Sequence, residues 1–364
     1  MAPVDLRVGE YAQLLVERCL GVQPGWQVMV VSTPLARPLV EKLVRLIARN
    51  GAYPLVRLSW TDMEQVPFDS LWGTEAPQEM LSTMAPIEAK TRQELDAWML
   101  IVAPENARAG TILDPERRTL LRKAYLPFNQ RRLAPGFPWV GCIYPTPAGA
   151  QKAGMTLDAY EDFVYGACLL DWDAEGERIR RYADCFDAAE TVRIVAAGTD
   201  ITLSLAGRTG QIDDAHYNMP GGEFFYSPVE DSTKGVVEFS EFPAEYQGTV
   251  CDGVLLRFEG GKVIEASARS NEEFLLSALD TDEGARRLGE LGIGCNPKIQ
   301  DHMGHTLFDE KIDGTVHFAV GAGIEFVGGT NKSAVHWDMV KDLRNGGRIE
   351  LDGEVVQENG EWRL

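Results

Sequence analysis

The chain has 364 residues, of which 45% are hydrophobic and 25% charged, a composition typical of a soluble globular protein large enough for two domains. Its formal net charge of −20 argues against nucleic acid as a partner, because phosphate binding needs a basic surface. The charge either serves solubility or lines an acidic cavity that attracts cations and the protonated amino end of a peptide, and the sequence leaves both readings open.

The first part of the chain alternates predicted strands and helices. Gln27–Ser32 is a short apolar run, Leu35–Asn50 carries apolar residues at helical intervals, and Tyr53–Trp60 is strand-like again. A strand, a helix and a strand with short connections predict a parallel sheet. The same alternation continues with strands at Trp98–Ala103 and Trp139–Tyr144 and with helices after Asp5, at Thr156–Trp172 and at Glu175–Ala189. Residues 1–188 are therefore predicted to form an α/β domain.

The turn after the first predicted strand carries no glycine-rich phosphate-binding motif, so a nucleotide site is not expected there. The first domain is instead interpreted as a scaffold, or as part of a wall that encloses substrate.

From about residue 189 short alternating segments replace the longer elements. The predicted strands are Thr191–Ala196, Asp200–Leu205, Gly235–Phe239, Gly253–Phe258, Lys262–Ala268 and a strand-rich end at Gly347–Glu361. One helix is predicted among them, over Asn271–Leu291. Residues 189–364 are therefore predicted to form a β-rich α+β domain.

Export and membrane signals are not evident. The segment that begins at Met1 lacks the basic and apolar regions of a signal peptide, and no run approaches the roughly eighteen apolar residues of a membrane helix. The six cysteines are scattered without metal-binding spacing, so reduced thiols are expected. We therefore predict a cytoplasmic protein with no membrane partner.

All five histidines lie in the second domain, between His216 and His336. His336 and Asp338 are two residues apart in a predicted strand, so their side chains share one face and suit a divalent ion. His317 lies in an alternating segment and is preceded by Asp309–Lys311, whose charged groups could orient the imidazole. Taken singly, the pair is equally explained by a polar strand surface, and His317 by a hydrogen-bonded core histidine.

Two glutamates complete the candidate set. Glu290 is placed at the C-terminal end of the predicted helix, where the helix dipole disfavours a carboxylate, so a compensating partner is expected. Glu223 follows a Pro-Gly-Gly turn that can deliver a side chain to a crowded site. A solvated glutamate and an ordinary turn are the simpler single explanations. Together, three carboxylates and two imidazoles suit two divalent ions bridged by a carboxylate and a water.

Four segments carry a family resemblance: NMPGGE, LGELGIGCNP, DEKIDGTVHFAVG and GGTNKSAVHWDMV. In this order they resemble the thermophilic-type metallo-aminopeptidases, the family of aminopeptidase T and aminopeptidase S. The resemblance implies release of N-terminal amino acids from peptides, two ions of zinc, cobalt or magnesium, a homodimer, and a first domain that helps enclose a cavity and makes dimer contacts. It implies that Glu290 bridges the metals, that Glu223 and Glu290 act in catalysis, and that the ligands are Glu223, Glu290, His317, His336 and Asp338.

One position departs from the family pattern. The family usually carries a tyrosine seven residues after the histidine that matches His317, and here that position is Ile324. The segment from His317 to His336 is also shorter than in many members. If that tyrosine stabilises the tetrahedral intermediate, its loss costs on the order of a hundredfold or more in rate, and Tyr217 or Tyr226 is a candidate substitute.

Two other functions compete with hydrolysis. A branch that resembles the family opens dihydroxypyridine rings with one Fe(II), and His317, His336 and Asp338 could form the required facial triad. The missing tyrosine fits that reading, whereas the presence of Glu223 and Glu290 favours two metals. The third reading is a metal-binding or peptide-binding protein with weak catalysis or none.

Overall fold

The computed structural model of the chain describes residues 5–60, 70–107, 114–132, 134 and 136–364. Two compact units result, one of Met1–Leu170 with Ala215–Gly221 and one of Asp171–Asp214 with Gly222–Leu364. These limits differ from the predicted boundary at residue 188. The helix that precedes residue 188 belongs to the second unit because its apolar face, including Ile179, lies in that unit's core.

The described helices and strands follow one another along the chain with few long gaps. Up to residue 170 they are α1 (Arg7–Leu14, continued by a π-helical turn Leu15–Cys19), β1 (Gln27–Ser32), α2 (Arg37–Arg49, preceded by a 3₁₀ turn Pro34–Ala36), β2 (Tyr53–Leu58), α3 (Ser70–Glu75), α4 (Gln78–Leu81), α5 (Pro86–Glu94), β3 (Ala97–Val102), α6 (Pro115–Arg132), β4 (Trp139–Ile143), α7 (Pro147–Lys152) and α8 (Leu157–Cys168). Within the described ranges, no helix combines the length and the hydropathy that a bilayer crossing needs.

The remaining elements are mostly strands. They are α9 (Trp172–Asp187), β5 (Thr191–Ala196), β6 (Thr199–Ser204), β7 (Gln211–Asp213), β8 (Asn218–Met219), β9 (Glu223–Tyr226), β10 (Lys234–Phe239), β11 (Ala244–Tyr246), β12 (Thr249–Cys251), β13 (Val254–Glu259), β14 (Lys262–Ser267), α10 (Glu272–Leu279), β15 (Leu288–Gly294), α11 (Thr306–Asp309), β16 (Thr315–Gly321), β17 (His336–Asp342), β18 (Arg348–Leu351), β19 (Glu354–Glu358) and β20 (Glu361–Trp362).

The first unit contains a parallel sheet in the order β2-β1-β3-β4-β8. Its central strands are nearly continuous apolar runs, as strands covered on both faces require. Helix α2 buries Leu39, Leu43 and Ile47, which recur every four residues and so form one face. The predicted α/β class of this part of the chain is confirmed.

The second unit is built mainly from two antiparallel sheets. One has the order β14-β13-β10-β6-β5-β18-β19-β20, and the other has the order β17-β16-β15-β9-β7. One hydrophobic core contains inward side chains of the first sheet, such as Ile194 and Leu256, together with Leu291 and Phe318 of the second. The predicted β-rich class is confirmed, and every strand predicted between residues 191 and 268 lies within a residue or two of an observed one.

The helix predicted over Asn271–Leu291 is wrong beyond Leu279. Helix α10 ends there, and Leu288–Gly294 forms the central strand β15. Three glycines at every second or third position weaken helical propensity, and each allows a close approach of neighbouring atoms that a side chain would block. Glu290 therefore lies in a buried strand, and the expectation based on a helix dipole does not apply to it.

Candidate metal centre

One face of the sheet β17-β16-β15-β9-β7 carries all five candidate side chains. Alternation along β16 turns Val316, Phe318 and Val320 into the core and leaves His317 on the opposite face. Directly paired residues of neighbouring strands share a face. Ala319 pairs with both Glu290 and Asp338, so those two carboxylates stand on the same face as His317.

Small residues occupy the middle of this face. Ala319 stands between Glu290 and Asp338, and Gly292 stands between His317 and Phe225. A Cβ atom on Gly292 would lie 2.0 Å from Cε1 of His317, so the imidazole occupies the space that a side chain would fill. The strands themselves therefore place no bulky side chain between the ligand groups, which leaves room for cations.

Glu290 links the two imidazoles. Its Oε1 lies 3.4 Å from Nε2 of His317, and its Oε2 lies 3.1 Å from Nε2 of His336. Asp338 Oδ1 lies 3.7 Å from the same nitrogen of His336, which confirms that the i and i+2 side chains stand side by side. Glu223 Oε2 lies 3.7 Å from Nε2 of His317. The fold therefore brings all five predicted residues together.

Both imidazoles are oriented by backbone carbonyl groups. Nδ1–H of His317 donates to the carbonyl oxygen of Glu310 at 3.1 Å, and Nδ1–H of His336 donates to that of Ala322 at 3.0 Å. With Nδ1 carrying the proton, Nε2 is left to face the carboxylates. Metal-binding histidines are commonly held in this way, with one nitrogen on a carbonyl group and the other on the ion.

The carboxylates of the site carry negative charge that protons or metal ions must balance. Desolvation lowers the pKa of both imidazoles, but nearby carboxylates more than offset it. Glu290, Glu223 and Asp338 raise the pKa of His317 to about 10, and Asp338 and Glu290 raise that of His336 to about 10. Burial raises the pKa of Glu290, yet hydrogen bonds from the two imidazoles bring it down to about 2. In the absence of an ion, protons on Nε2 supply the positive charge that a metal would supply.

The structure adds ion pairs to the site that the sequence did not predict. Lys311 is fully buried; its Nζ donates to Glu223 Oε1 at 2.7 Å and also bonds the carboxylate of Glu310. Asp213 Oδ2 lies 3.8 Å from the same ammonium group. Glu310 and Lys311 were expected only to orient His317. The charged residues Asp309–Lys311 before β16 had indicated that these groups lie near the site. They did not indicate which carboxylates would bond the ammonium group of Lys311.

The donor atoms fit a metal centre. Glu290, His317 and Asp338 each offer a ligand atom within 4.8 Å of the others, and so do Glu223, Glu310 and His317. Oε2 of Glu223 is buried and has no hydrogen-bond partner among the described residues. A buried carboxylate oxygen without a partner is costly unless a cation takes that place. Nitrogen and oxygen donors in this number suit zinc and similar divalent ions.

Other residues considered from the sequence lie elsewhere. Nε2 of His302 is 3.2 Å from Asp309, and its ring stacks on Phe242. Tyr226 is excluded as a substitute for the missing tyrosine, because it lies on the core face of β9 and its hydroxyl group bonds Asp187 at 2.7 Å. Tyr217 belongs to the first unit, where it packs beside Trp139.

Comparisons with known proteins agree with this architecture. The profile of the thermophilic metalloprotease (M29) family matches residues 4–362. "Aminopeptidase 2" of Geobacillus stearothermophilus is 29% identical over 416 residues, and the match covers 98% of each chain. That span exceeds the 364 residues of this chain, so the relative carries residues that this chain lacks.

Two solved structures share the fold. Wild-type AmpT from Thermus thermophilus has a TM-score of 0.85 at 23% identity, covering 98% of this chain and 99% of its own. The 2,5-dihydroxypyridine dioxygenase of Pseudomonas putida KT2440 has a TM-score of 0.63 at 16% identity, covering 99% and 98%. Both likenesses establish the fold alone. The family profile spans nearly the whole chain, and on that evidence the chain belongs to the thermophilic metalloprotease (M29) family.

Proposed function

We propose that this chain is a metal-dependent aminopeptidase that releases N-terminal amino acids from peptides, with two divalent ions held by Glu223, Glu290, His317, His336 and Asp338. The observation that carries the proposal is the position of Glu290, whose two oxygens face the Nε2 atoms of two different imidazoles at 3.4 and 3.1 Å. A carboxylate placed in this way can serve two ions at once. The name of the relative that matches nearly the whole chain, Aminopeptidase 2, supports the same reaction.

When bound, two divalent ions would supply an activated water and would polarise the scissile carbonyl group. The chain's own contribution is to orient the ligands and to set the charge. The carbonyl groups of Glu310 and Ala322 accept hydrogen bonds from the two imidazole rings, so that each Nε2 already faces the carboxylates without a bound ion. The carboxylates of the site outnumber its fixed cation, Lys311, which favours the binding of cations. No serine or cysteine nucleophile is needed for this reaction.

The finer parts of the proposal are the roles of Glu223 and Glu290 in catalysis, the use of zinc, cobalt or magnesium, a homodimer and a cytoplasmic location. The catalytic roles, the metals and the homodimer rest on the resemblance of four sequence segments to the family, whereas the cytoplasmic location rests on the scattered cysteines, which predict reduced thiols.

A single Fe(II) is the competing occupant, because His317, His336 and Asp338 could bind it as a facial triad. That reading leaves Glu223 Oε2 buried without a hydrogen-bond partner among the described residues, whereas a second ion beside His317 would bind it. The buried oxygen therefore favours two ions.

The proposal is tested by metal content and substrate cleavage together. Chelator-treated protein is reloaded with zinc, cobalt, magnesium or Fe(II), and bound metal is counted while a panel of aminoacyl p-nitroanilides and dipeptides is assayed. We expect two ions per chain and cleavage of the panel, with both reduced in Glu290→Gln. Glu265→Gln is the matched control, since that carboxylate is 63% exposed and pairs with Arg257 on the surface.

Three outcomes decide between the readings. One iron per chain with ring cleavage of a dihydroxypyridine and no peptide cleavage supports the dioxygenase. Metal-replete protein that is inactive on both substrate classes supports a binding protein. Normal activity in Glu290→Gln contradicts the bridging role of this carboxylate, whatever the reaction.

A further inference from the structure

A phenylalanine shares the face of the sheet that carries the ligands. Phe225 follows Glu223 by two residues in β9, so both side chains point to that face, whereas Phe224 and Tyr226 are buried in the core. Phe225 pairs with Gly292, and Gly292 pairs with His317. Phe225 therefore lies in the same cross-strand row as His317, with their backbones about 10 Å apart across two strand spacings.

No side chain of the intervening strand β15 separates Phe225 from His317. Gly292 has no side chain, and the imidazole of His317 lies over its Cα position. The imidazole therefore covers β15 at Gly292, and no side chain of that strand stands between the imidazole and Phe225. An apolar group bound on Phe225 would lie next to the metal-binding nitrogen of His317.

A second aromatic ring adds a wall to this surface. Phe326 packs edge-on against Phe225, with ring centroids 6.1 Å apart, and it remains 57% exposed. It lies in a 3₁₀ turn, Glu325–Val327, at the end of which Val327 is buried. The exposed ring of Phe326 and the half-buried ring of Phe225 together form a small apolar surface on the side of the sheet that carries the ligands.

The loop that bears Phe326 is fixed to the strand system. The N–H of Ile324 donates to Ser227 Oγ at 2.8 Å, and that hydroxyl group donates to the carbonyl oxygen of Gly289 at 2.7 Å. The N–H of Gly329 donates back to the carbonyl oxygen of Ile324 at 2.9 Å. These bonds hold the Phe326 ring near Phe225 without help from a ligand, so the two-ring surface is preformed.

We propose that Phe225 and Phe326 form the subsite for the side chain of the N-terminal residue and that they select large apolar side chains. The inference rests on the proposed function, because the ions at His317 would fix the scissile carbonyl group beside this surface. Leucine, methionine and phenylalanine gain contact with both rings, whereas glycine and alanine reach neither. An acidic side chain gains no ion pair from Lys311, which is fully buried and already bonded to Glu223 and Glu310.

The test compares substrates that differ only in the N-terminal residue. With metal-loaded protein we expect kcat/KM for the phenylalanyl and leucyl p-nitroanilides to exceed that for the alanyl and glutamyl compounds. Phe326→Ala should lower the ratio of leucyl to alanyl kcat/KM by about 10- to 100-fold, the usual size of a lost apolar pocket contact. Ile264→Ala is the matched control, since Ile264 is 55% exposed on β14 and should leave the ratio unchanged.

A binding measurement separates this proposal from the proposed reaction. The affinities of L-phenylalanine hydroxamate and glycine hydroxamate are measured by calorimetry on the metal-loaded wild type, Phe326→Ala and Phe225→Leu. A preference for the phenylalanine compound that falls in both variants supports the subsite even if no peptide is cleaved. Cleavage without any side-chain preference, or a preference unchanged in Phe326→Ala, overturns the subsite and leaves the proposed function standing.

Discussion

Gly292 and His317 stand opposite each other on neighbouring strands, and the imidazole ring fills the space above the glycine. The atom that would become a Cβ on Gly292 lies 2.0 Å from Cε1 and 2.1 Å from Nε2 of His317. No side chain fits there without moving the ring. The same ring is hydrogen-bonded through Nδ1 to the carbonyl group of Glu310, so it cannot move without losing that bond.

We expect Gly292→Ala to reduce metal binding by at least tenfold, because the added methyl group displaces Nε2 of His317 from the two carboxylates. Apparent metal affinity, measured by competition with a chromophoric chelator, checks this. Gly166→Ala is the control, since a Cβ there meets no atom within 4 Å and alanine favours its helix. Wild-type affinity in Gly292→Ala would mean that His317 does not contribute to the centre.

The strand that carries Glu290 and Gly292 was the main element that the sequence did not predict. Its sequence, LGELGIG, has three glycines and one β-branched residue, so local propensity does not favour a strand. The glycines serve contacts with other parts of the chain: Gly289 faces the carbonyl oxygen of Ala322, and Gly294 faces that of Ile312. Such requirements come from packing between strands, which a single sequence does not reveal. His336 and Asp338 were placed correctly because their relation depends on strand alternation alone.

The metal-free protein should lose stability as the pH rises from about 6.5 to about 10. The folded state raises the pKa of His317 to about 10 from an ordinary value of 6.5, so the protonated form stabilises the fold below 6.5 and this contribution disappears as the pH passes through 10. His336 acts in the same direction, but its side chain is 37% exposed, so solvent screens part of its effect. Thermal unfolding of chelator-treated protein at a series of pH values measures the loss.

Metal-loaded protein is the comparison for this pH series. A metal ion on Nε2 replaces the proton, so the loaded protein should show a shallower loss of stability over the same interval, and metal affinity should rise with pH as the competing protons leave. A His317→Gln variant, also metal-free, should show a smaller loss than the metal-free wild type. An equal loss in the two proteins would rule out His317 as the group responsible.

Lys311 is a buried cation among carboxylates, and its removal should destabilise the metal-free protein strongly. Desolvation lowers the pKa of Lys311, but the charges of Glu223, Glu310 and Asp213 hold that pKa well above its ordinary value. We expect Lys311→Met to lower the free energy of unfolding by about 3–5 kcal/mol, the usual cost of breaking a buried ion pair. Thermal and urea unfolding of the chelator-treated protein measure this change.

Lys341→Met provides a matched control for this experiment. Lys341 is also fully buried, and its ammonium group bonds Glu241 and the carbonyl oxygen of Ala197 rather than any candidate ligand. Both variants should be destabilised, but added zinc should restore more stability to Lys311→Met than to Lys341→Met, because the ion supplies positive charge to Glu223 and Glu310. Equal recovery in the two variants would show that Lys311 stabilises the fold without relation to the metal centre.

The sequence predicted that Glu310 and Lys311 lie near His317, but it did not predict that Lys311 bonds Glu310 and Glu223. Both residues follow α11, so their side-chain directions depend on how the chain turns into β16, which no periodic pattern specifies. Asp213 was not singled out at all; it reaches Lys311 from β7, an edge strand of three residues, too short to produce a clear alternating signal. Of the predicted ligands, His336 and Asp338 lie on a strand with clear alternation and Glu223 follows a glycine-rich turn. Glu290 was identified through the family resemblance, although its strand was not predicted.

The family resemblance predicts a tyrosine at the position of Ile324, and supplying its hydroxyl group should raise turnover. The backbone at this position is fixed, since its N–H donates to Ser227 Oγ at 2.8 Å and its carbonyl oxygen accepts from the N–H of Gly329. A tyrosine introduced here starts from a defined position next to the strand that carries Glu290.

We expect Ile324→Tyr to raise kcat by about 10- to 100-fold with little change in KM, because an oxyanion donor acts mainly in the transition state. Ile324→Phe supplies the ring without the hydroxyl group and should leave kcat near the wild-type value. Equal kcat in the two variants would show that the hydroxyl group does not reach the reacting carbonyl from this shortened loop, and that hydrolysis in this chain depends on the metal centre without a tyrosine donor.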